Sequence, residues 1–305
     1  MSNDLKISVV ICSYNRADYI SGAMESLYNQ TLPKNLYEII VVDNNSTDNT
    51  KQVCENYISQ HTNANFYYYE EKRQGATFAR NTGAAKAQSP LLCFMDDDAV
   101  ADNDFLERIV SFFQEYSDAT GLGGRIIPKY IPEEPKWMSY YVSALNGNFD
   151  YSKEVTVFKP GKFPLESNMV VRTKDFFSVN GFSESILGVI GTLRVGGEAK
   201  EFFIKLQNLG KKVYYDPAIK VKHIVEVKKL TRAYRYRVAS GIGRGERVRV
   251  LEISNWAFIK KVFEYIIKLG GSIILAIQYT FQGNPAKALP VIQFRIDAVK
   301  GLFNN

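Results

Sequence analysis

Pro90-Leu91-Leu92-Cys93-Phe94-Met95-Asp96-Asp97-Asp98-Ala99 runs from an apolar stretch straight into three carboxylates. The apolar part has the length and composition of a short buried strand. Three adjacent acids do not share that interior without a counter-charge, because an unpaired buried carboxylate costs far too much. They are therefore expected where the strand leaves the sheet, in the crevice where open α/β sheets bind ligands. Hard oxygen donors in that place suit Mg²⁺ or Mn²⁺, itself holding phosphate oxygens. The competing reading is a solvated acidic turn at the start of the next helix, since Asp102 and Asp104 continue the pattern.

Upstream, Ile7–Cys12 is a continuous apolar run, as expected of a central parallel strand, and it ends on the polar turn Ser13-Tyr14-Asn15-Arg16. Tyr19, Ile20, Ala23, Met24, Leu27 and Tyr28 then recur at helical spacing up to Pro33. Glu38–Val42 reads as a second strand closing on Asp43, and Asn44–Asp48 as a turn and N-cap cluster. Phe66–Tyr69 reads as a third strand, antiparallel or at an edge, and Gly75–Lys86 as a small-residue helix. This alternation predicts an α/β fold, an open and mostly parallel sheet flanked by helices. No Gly-x-Gly-x-x-Gly or Walker sequence follows the first strand, which argues against a dinucleotide oxidoreductase or a P-loop protein. The polar groups at the ends of strands one, two and four predict a pocket at the carboxyl edge of the sheet.

Four stretches carry a resemblance. Val-Ile-Cys-Ser-Tyr-Asn-Arg (10–16), Val-Val-Asp-Asn-Asn-Ser-Thr-Asp-Asn-Thr (41–50), Gly-Ala-Thr-Phe-Ala-Arg-Asn-Thr-Gly (75–83) and the DxD-containing Phe-Met-Asp-Asp-Asp (94–98) are similar, in this order, to the family 2 glycosyltransferases. That resemblance implies a GT-A fold with a C-terminal helical extension. It also implies a metal-dependent, inverting, hexosyltransferase-like enzyme that takes its sugar from a nucleotide diphosphate. On it, Asp43 contacts the base, Arg80 and Asn81 shape the donor site, Asp96 lies by the ribose and Asp98 holds the metal. Ser13, Tyr14, Asn15, Arg16 and Asp97 join the donor site. Gly123–Ile126, Pro135 and Trp137 match a Gly-Gly-Arg-Ile, Pro-rich, Trp-containing stretch that members carry where this chain turns irregular and aromatic over 128–164. Asn168-Met169-Val170-Val171-Arg172 and Asn180-Gly181-Phe182 match two further motifs.

At Gly196-Gly197-Glu198-Ala199-Lys200-Glu201 the family usually has Gly-Glu-Asp, with the Asp as general base, and this chain has Ala199 in its place. Glu198, with Glu201 as fallback, is then the expected base, unless both are merely first-turn acids of a helix. His223, at the end of the strand Ile219–His223, is implied near the metal and the diphosphate. Arg244, in Ser240-Gly241-Ile242-Gly243-Arg244-Gly245, is expected either on a solvated basic helix face or in a mobile loop that clamps the leaving diphosphate.

Charge is unevenly spread. Residues 1–219 carry 22 Lys and Arg against 27 Asp and Glu, a net of −5, whereas residues 220–305 carry 16 against 5, a net of +11. A near-neutral body with a basic tail suits an anionic membrane surface. Trp256–Phe281 is apolar and aromatic but interrupted by charges, too polar for a clear span, and fits either a membrane surface or a packed tail. No signal peptide is read at the start, and three scattered cysteines with two histidines fit a reducing compartment and no zinc site. The expectation is a cytoplasmic protein, peripheral at the inner face of the membrane. Its expected partners are a nucleotide-sugar and a saccharide or lipid-linked saccharide acceptor, with no nucleic acid. Residues 1–224 are expected to form the catalytic domain, with 1–100 binding nucleotide-sugar and 101–224 the acceptor, and 225–305 a basic, partly amphipathic helical extension. Cell-surface polysaccharide or glycolipid synthesis is the expected setting. A catalytically inactive nucleotide-sugar-binding homologue is the alternative, supported by Ala199. A nucleotidyltransferase would want a Gly-rich basic loop after strand one, which Ser13–Arg16 is not.

Overall fold

The computed structural model describes residues 4–190 and 193–304. In chain order the elements are β1 (Ile7–Ser13), α1 (Ala17–Tyr28), β2 (Tyr37–Asp43), α2 (Thr50–Gln60), β3 (Phe66–Glu70), α3 (Ala76–Lys86), β4 (Leu91–Asp96), β5 (Ala99–Ala101), α4 (Phe105–Glu115) and β6 (Ala119–Ile131). There follow α5 (Tyr140–Ser143), β7 (Thr156–Val157), β8 (Met169–Arg172), α6 (Thr173–Ser178), β9 (Gly188–Ile190), β10 (Leu193–Val195), α7 (Glu198–Asn208) and β11 (Lys212–Glu226). Helices α8 (Val227–Leu230), α9 (Arg232–Ile253), α10 (Asn255–Phe281) and α11 (Ala288–Phe303) complete the chain. Two compact units result. The first takes the chain up to Ile127, then Phe149–Glu184 and Ala199–His223; the second takes Pro128–Asn148, Ser185–Glu198 and everything from Ile224 on.

The first unit is built on one mixed sheet in the order β3-β2-β1-β4-β8-β6-β11-β5, with β7 paired to β11. Strands β3, β2, β1 and β4 run parallel, and β3 is the edge. Beyond β4, β8 runs antiparallel to β4 and to β6, and β5 runs antiparallel to β11. The apolar runs of β1, β2 and β4 have no polar alternation because both faces of the sheet are covered. Val9, Ile11, Ile39 and Val41 face a layer with Ile20, Met24, Phe105 and Ile109. Their neighbours Val10, Ile40 and Val42 face the other layer, with Ala79, Phe176, Phe182, Phe202 and Phe203. Each such buried side chain contributes roughly 1.5–3 kcal/mol of transfer free energy. Helix α3 reads as small-residue because it lies close on the sheet: a Cβ at Gly83 would come within 2.3 Å of Val10 Cγ1.

In the second unit α9, α10 and α11 pack on one another, with Met138, Val142, Val238 and Val291 in one cluster and Tyr265, Ala298 and Leu302 in another. Thr231 and Ser254 cap α9 and α10 by accepting hydrogen bonds from the amides of Tyr234 and Ala257. The mobile loop considered for Ser240–Gly245 is corrected here: these residues lie inside α9. Their glycines serve close packing. A Cβ at Gly243 would sit 2.0 Å from the Ala298 carbonyl oxygen, and one at Gly245 would sit 1.5 Å from that of Gly196. Tertiary contact overrides the weak helix propensity of glycine at these positions.

Candidate active site

The register of the parallel strands assembles the site. Ser13 stands opposite Asp43 on β2, and Cys12 stands opposite Asp96 on β4, so three strand ends lie side by side. The chain then turns through Asp97 and Asp98 into β5, which pairs with β11 so that His223 is opposite Ala99. That pairing brings His223 to the acidic run. Nε2 of His223 lies 2.8 Å from Oδ1 of Asp98, and ligand atoms of Asp96, Asp98 and His223 all lie within 4.8 Å of one another. Two carboxylates and an imidazole, with Asp98 and His223 buried, are a donor set that fits Mg²⁺ or Mn²⁺.

The charge balance points the same way. Asp97 is buried, accepts a 2.7 Å hydrogen bond from Ser13 Oγ, and lies 3.8 Å from Nε of Arg16. Burial, and then the adjacent Asp98 carboxylate, push Asp97 up to about 7. Arg16 reaches Asp98 only at 3.8 Å, and Arg80 reaches Asp96 at 3.4 Å. Three adjacent carboxylates thus meet at one place, with Arg16, Arg80 and His223 around them. Burial pushes the Cys12 thiol beside them up to about 12.

The other expected donor-site residues divide into two kinds. Asp43 is buried and fixed: Ser46 N–H donates to its Oδ1 at 2.8 Å and the Tyr68 hydroxyl donates to its Oδ2 at 2.8 Å. Asn15, in the left-handed conformation at φ 53°, accepts from the Thr47 amide at 2.7 Å and ties the turn after β1 to the turn after β2. Tyr14 in the same turn is half-buried. Asn81 is a structural tie: its amide donates to Phe182 O at 2.9 Å and accepts from Phe182 N–H at 3.1 Å. Sequence reasoning missed Tyr68 on Asp43, and Ser167, whose hydroxyl donates to Asp96 Oδ2. It also missed Asn44, which accepts from Gly75 N–H at 2.8 Å and so sets the entry to α3. The only available signals were the position of Tyr68 on the strand paired with β2, and of Ser167 just before the Asn168 strand.

Around the expected base, Glu201 is buried and its Oε1 lies 2.5 Å from Lys205 Nζ. Ala199 is fully buried, in the layer that holds Phe176, Phe182 and Phe202. Glu198 belongs to the second unit and is buried, following Gly197 at φ 111°. Arg244 is also in that unit, half-buried, and donates to the Arg194 carbonyl at 3.3 Å.

Comparison with known proteins identifies the family and the fold. A family model described as "Glycosyl transferase family 2" matches residues 8–176. Over 105 residues, 34% of this chain and 34% of the relative, the sequence is 37% identical to the glycosyltransferase AglE of Haloferax volcanii. Over 220 residues, 70% of this chain and 65% of the relative, it is 29% identical to a Methanococcus voltae enzyme. That relative is named dolichyl N-acetyl-alpha-D-glucosaminyl phosphate 3-beta-D-2,3-diacetamido-2,3-dideoxy-beta-D-glucuronosyltransferase. The matched stretches span from about a third to just under two thirds of these relatives. Among solved structures, a mannosyltransferase from Pyrobaculum calidifontis in complex with GDP-Man and Mn²⁺ superposes with a TM-score of 0.68 at 18% identity. The match covers 98% of this chain and 87% of that one.

Proposed function

Since the chain belongs to glycosyl transferase family 2 and has the GT-A fold, we propose that it moves a sugar from a nucleoside-diphosphate sugar to a hydroxyl of a saccharide or lipid-linked saccharide, inverting the anomeric centre. The observation that carries this reading is the Asp96–Asp98–His223 cluster, with Asp96 at the end of β4 and β1 between it and β2, the strand whose end bears Asp43. Asp98 and His223, with Asp96, would hold Mg²⁺ or Mn²⁺, which supplies positive charge to a bound diphosphate. Asp43, oriented by Tyr68 and the Ser46 amide, accepts hydrogen bonds from the base. The turn Ser13–Arg16 closes over the nucleotide, and Arg80 holds Asp96 in place beside the ribose. Glu198 takes the proton from the acceptor hydroxyl as that oxygen attacks. The names of several relatives contain dolichyl phosphate or poly(ribitol-phosphate), which supports a role in cell-surface polysaccharide or glycolipid synthesis.

A second reading, binding of nucleotide-sugar without transfer, is favoured by Ala199 at the position where the family carries an acid. The two separate in one assay. Nucleotide-sugars are screened with Mn²⁺ and a mixed saccharide acceptor, nucleoside diphosphate release is followed, and the anomeric configuration of the product is read by NMR. Acceptor-dependent release with an inverted product supports transfer. Donor binding without release supports the second reading, and a retained anomer overturns the inverting mechanism.

A further inference from the structure

Helix α10 is long and apolar enough by composition to cross a membrane, with a mean hydropathy of 1.3, yet only 17% of its apolar window is buried. Its exposed residues are not scattered. Trp256, Phe263, Ile267, Ile274, Ile277 and Phe281 fall, at about 100° per residue, within an arc of about 80°, which Ile259, Ile266 and Ile273, also exposed, widen to about 120°. Four of them are 62%, 75%, 70% and 88% exposed: Trp256, Ile267, Ile274 and Phe281 respectively. They form one stripe roughly 38 Å long at about 1.5 Å per residue. A contiguous apolar face of that extent marks an interaction surface.

The opposite side of the helix is occupied by protein. Tyr265, Ser272 and Ala276 are buried against the neighbouring helices, Lys261 lies 3.3 Å from Glu246 of α9, and Arg295 of α11 donates to Ser272 Oγ at 3.4 Å. Such a helix cannot be surrounded by lipid, because those paired charges would lie in hydrocarbon. It can meet lipid along one side only. Lys260 and Lys268 flank the stripe on a single edge, the Lys260 ammonium over the Trp256 ring at 5.7 Å from its centroid and that of Lys268 paired with Glu264 of the same helix. Charge decides between lipid and a second copy of the chain. The unit that holds α10 carries 17 Lys and Arg against 8 Asp and Glu, a net of +9, so it repels its own kind and is attracted to an anionic surface.

We propose that α10 lies in the plane of an anionic lipid bilayer, with its Trp256-to-Phe281 stripe seated among the headgroups and upper acyl chains. The proposal does not depend on the assignment of the sugar-transfer site, since it is tested without donor or acceptor.

The test uses the full chain and vesicles of phosphatidylcholine alone or with 30% phosphatidylglycerol. Wild type partitions onto the anionic vesicles at least about tenfold more strongly than onto the neutral ones, and salt weakens the binding. The Ile267→Asp/Ile274→Asp variant, changed only at exposed positions, keeps its melting temperature and loses at least about tenfold in partition. Fluorophores placed singly at Phe263, Ile274 and Phe281 report the same shallow depth by lipid-borne quenchers. Equal binding to neutral vesicles, or none to either kind, overturns the proposal, as does a double variant that binds like wild type. A depth gradient along the helix means a span instead. A dimer without vesicles that the double variant dissolves, with no lipid binding, means that a second copy covers the stripe.

Discussion

Nε2 of His223 lies 2.8 Å from Oδ1 of Asp98, although the two residues come from distant parts of the chain and meet only through the pairing of β5 with β11. Asp98 sits one residue before β5, and the antiparallel register puts His223 opposite Ala99. A single residue of slippage in β11 would turn the imidazole to the other face of the sheet. Tertiary register brings the acidic run to His223, and ligand atoms of Asp96, Asp98 and His223 lie close enough together that they could hold a metal ion.

Asp43 is aimed by Tyr68. Tyr68→Phe removes one hydrogen bond, worth about 1 kcal/mol, and frees the carboxylate to rotate. Donor affinity is expected to fall several-fold in calorimetry, with the melting temperature almost unchanged. Wild-type affinity in Tyr68→Phe would remove Tyr68 from this role.

Glycine at 245 is required by packing. Gly245→Ala places a methyl group 1.5 Å from the Gly196 carbonyl oxygen, so the backbone must move. The expected cost is at least about 2 kcal/mol, read as a lower melting temperature or faster proteolysis within α9. Gly270→Ala, whose methyl group meets nothing within 4 Å, is the control and should neither lower the melting temperature nor speed proteolysis, with a small rise in melting temperature from the better helix propensity of alanine.

These two positions show how far the sequence could be read. The runs Ile7–Cys12 and Leu91–Met95 identify buried strands because both faces of a parallel sheet are covered, and polar residues at their ends mark the ligand edge. The places of Asp43 and Asp96 at the ends of β2 and β4 were legible for that reason. Tyr68 and Ser167 were not, because their roles come from neighbours brought in by pairing, and nothing local sets them apart from other half-buried strand and loop residues. The Gly241–Gly245 stretch read as flexible because glycine lowers helix propensity, while the close approach of α11 and Gly196 that demands glycine is visible only in three dimensions. The apolar character of Trp256–Phe281 was plain, but which side of the helix stays uncovered depends on how α9 and α11 pack.

Acid stability should carry a signature of Glu71. Hydrogen bonding to Arg73 comes first among the causes that hold this carboxyl down to about 2, against an ordinary value of 4.5. A depressed native value means that its contribution is complete above about pH 4.5 and is lost as pH falls towards 2. Glu71→Gln should be less stable than wild type at pH 6 in denaturant titrations, and the gap should close between pH 4.5 and 2. A gap that does not vary with pH would show that the ionised form gives no native-state advantage.

Glu198 and Glu201 are distinguished by substitution. Glu198→Gln is expected to lower kcat by about 10²–10⁴-fold with donor affinity nearly intact. Glu201, already paired with Lys205, is expected to tolerate Gln with a smaller loss. A collapse in Glu201→Gln with near-wild-type turnover in Glu198→Gln would move the role to Glu201. Ala199→Asp, which buries a carboxylate beside Phe176 and Phe202, should lower the melting temperature.

The most direct test of the account is a Mn²⁺ titration of donor binding in wild type and in Asp98→Asn, by calorimetry on the metal-stripped full chain. Wild type should bind its nucleotide-sugar at least about a hundredfold more tightly with Mn²⁺ than without. Asp98→Asn, with the same melting temperature in the absence of metal, should bind it weakly and equally in both conditions. Metal-independent donor binding in wild type, or an unchanged metal dependence in Asp98→Asn, would contradict it.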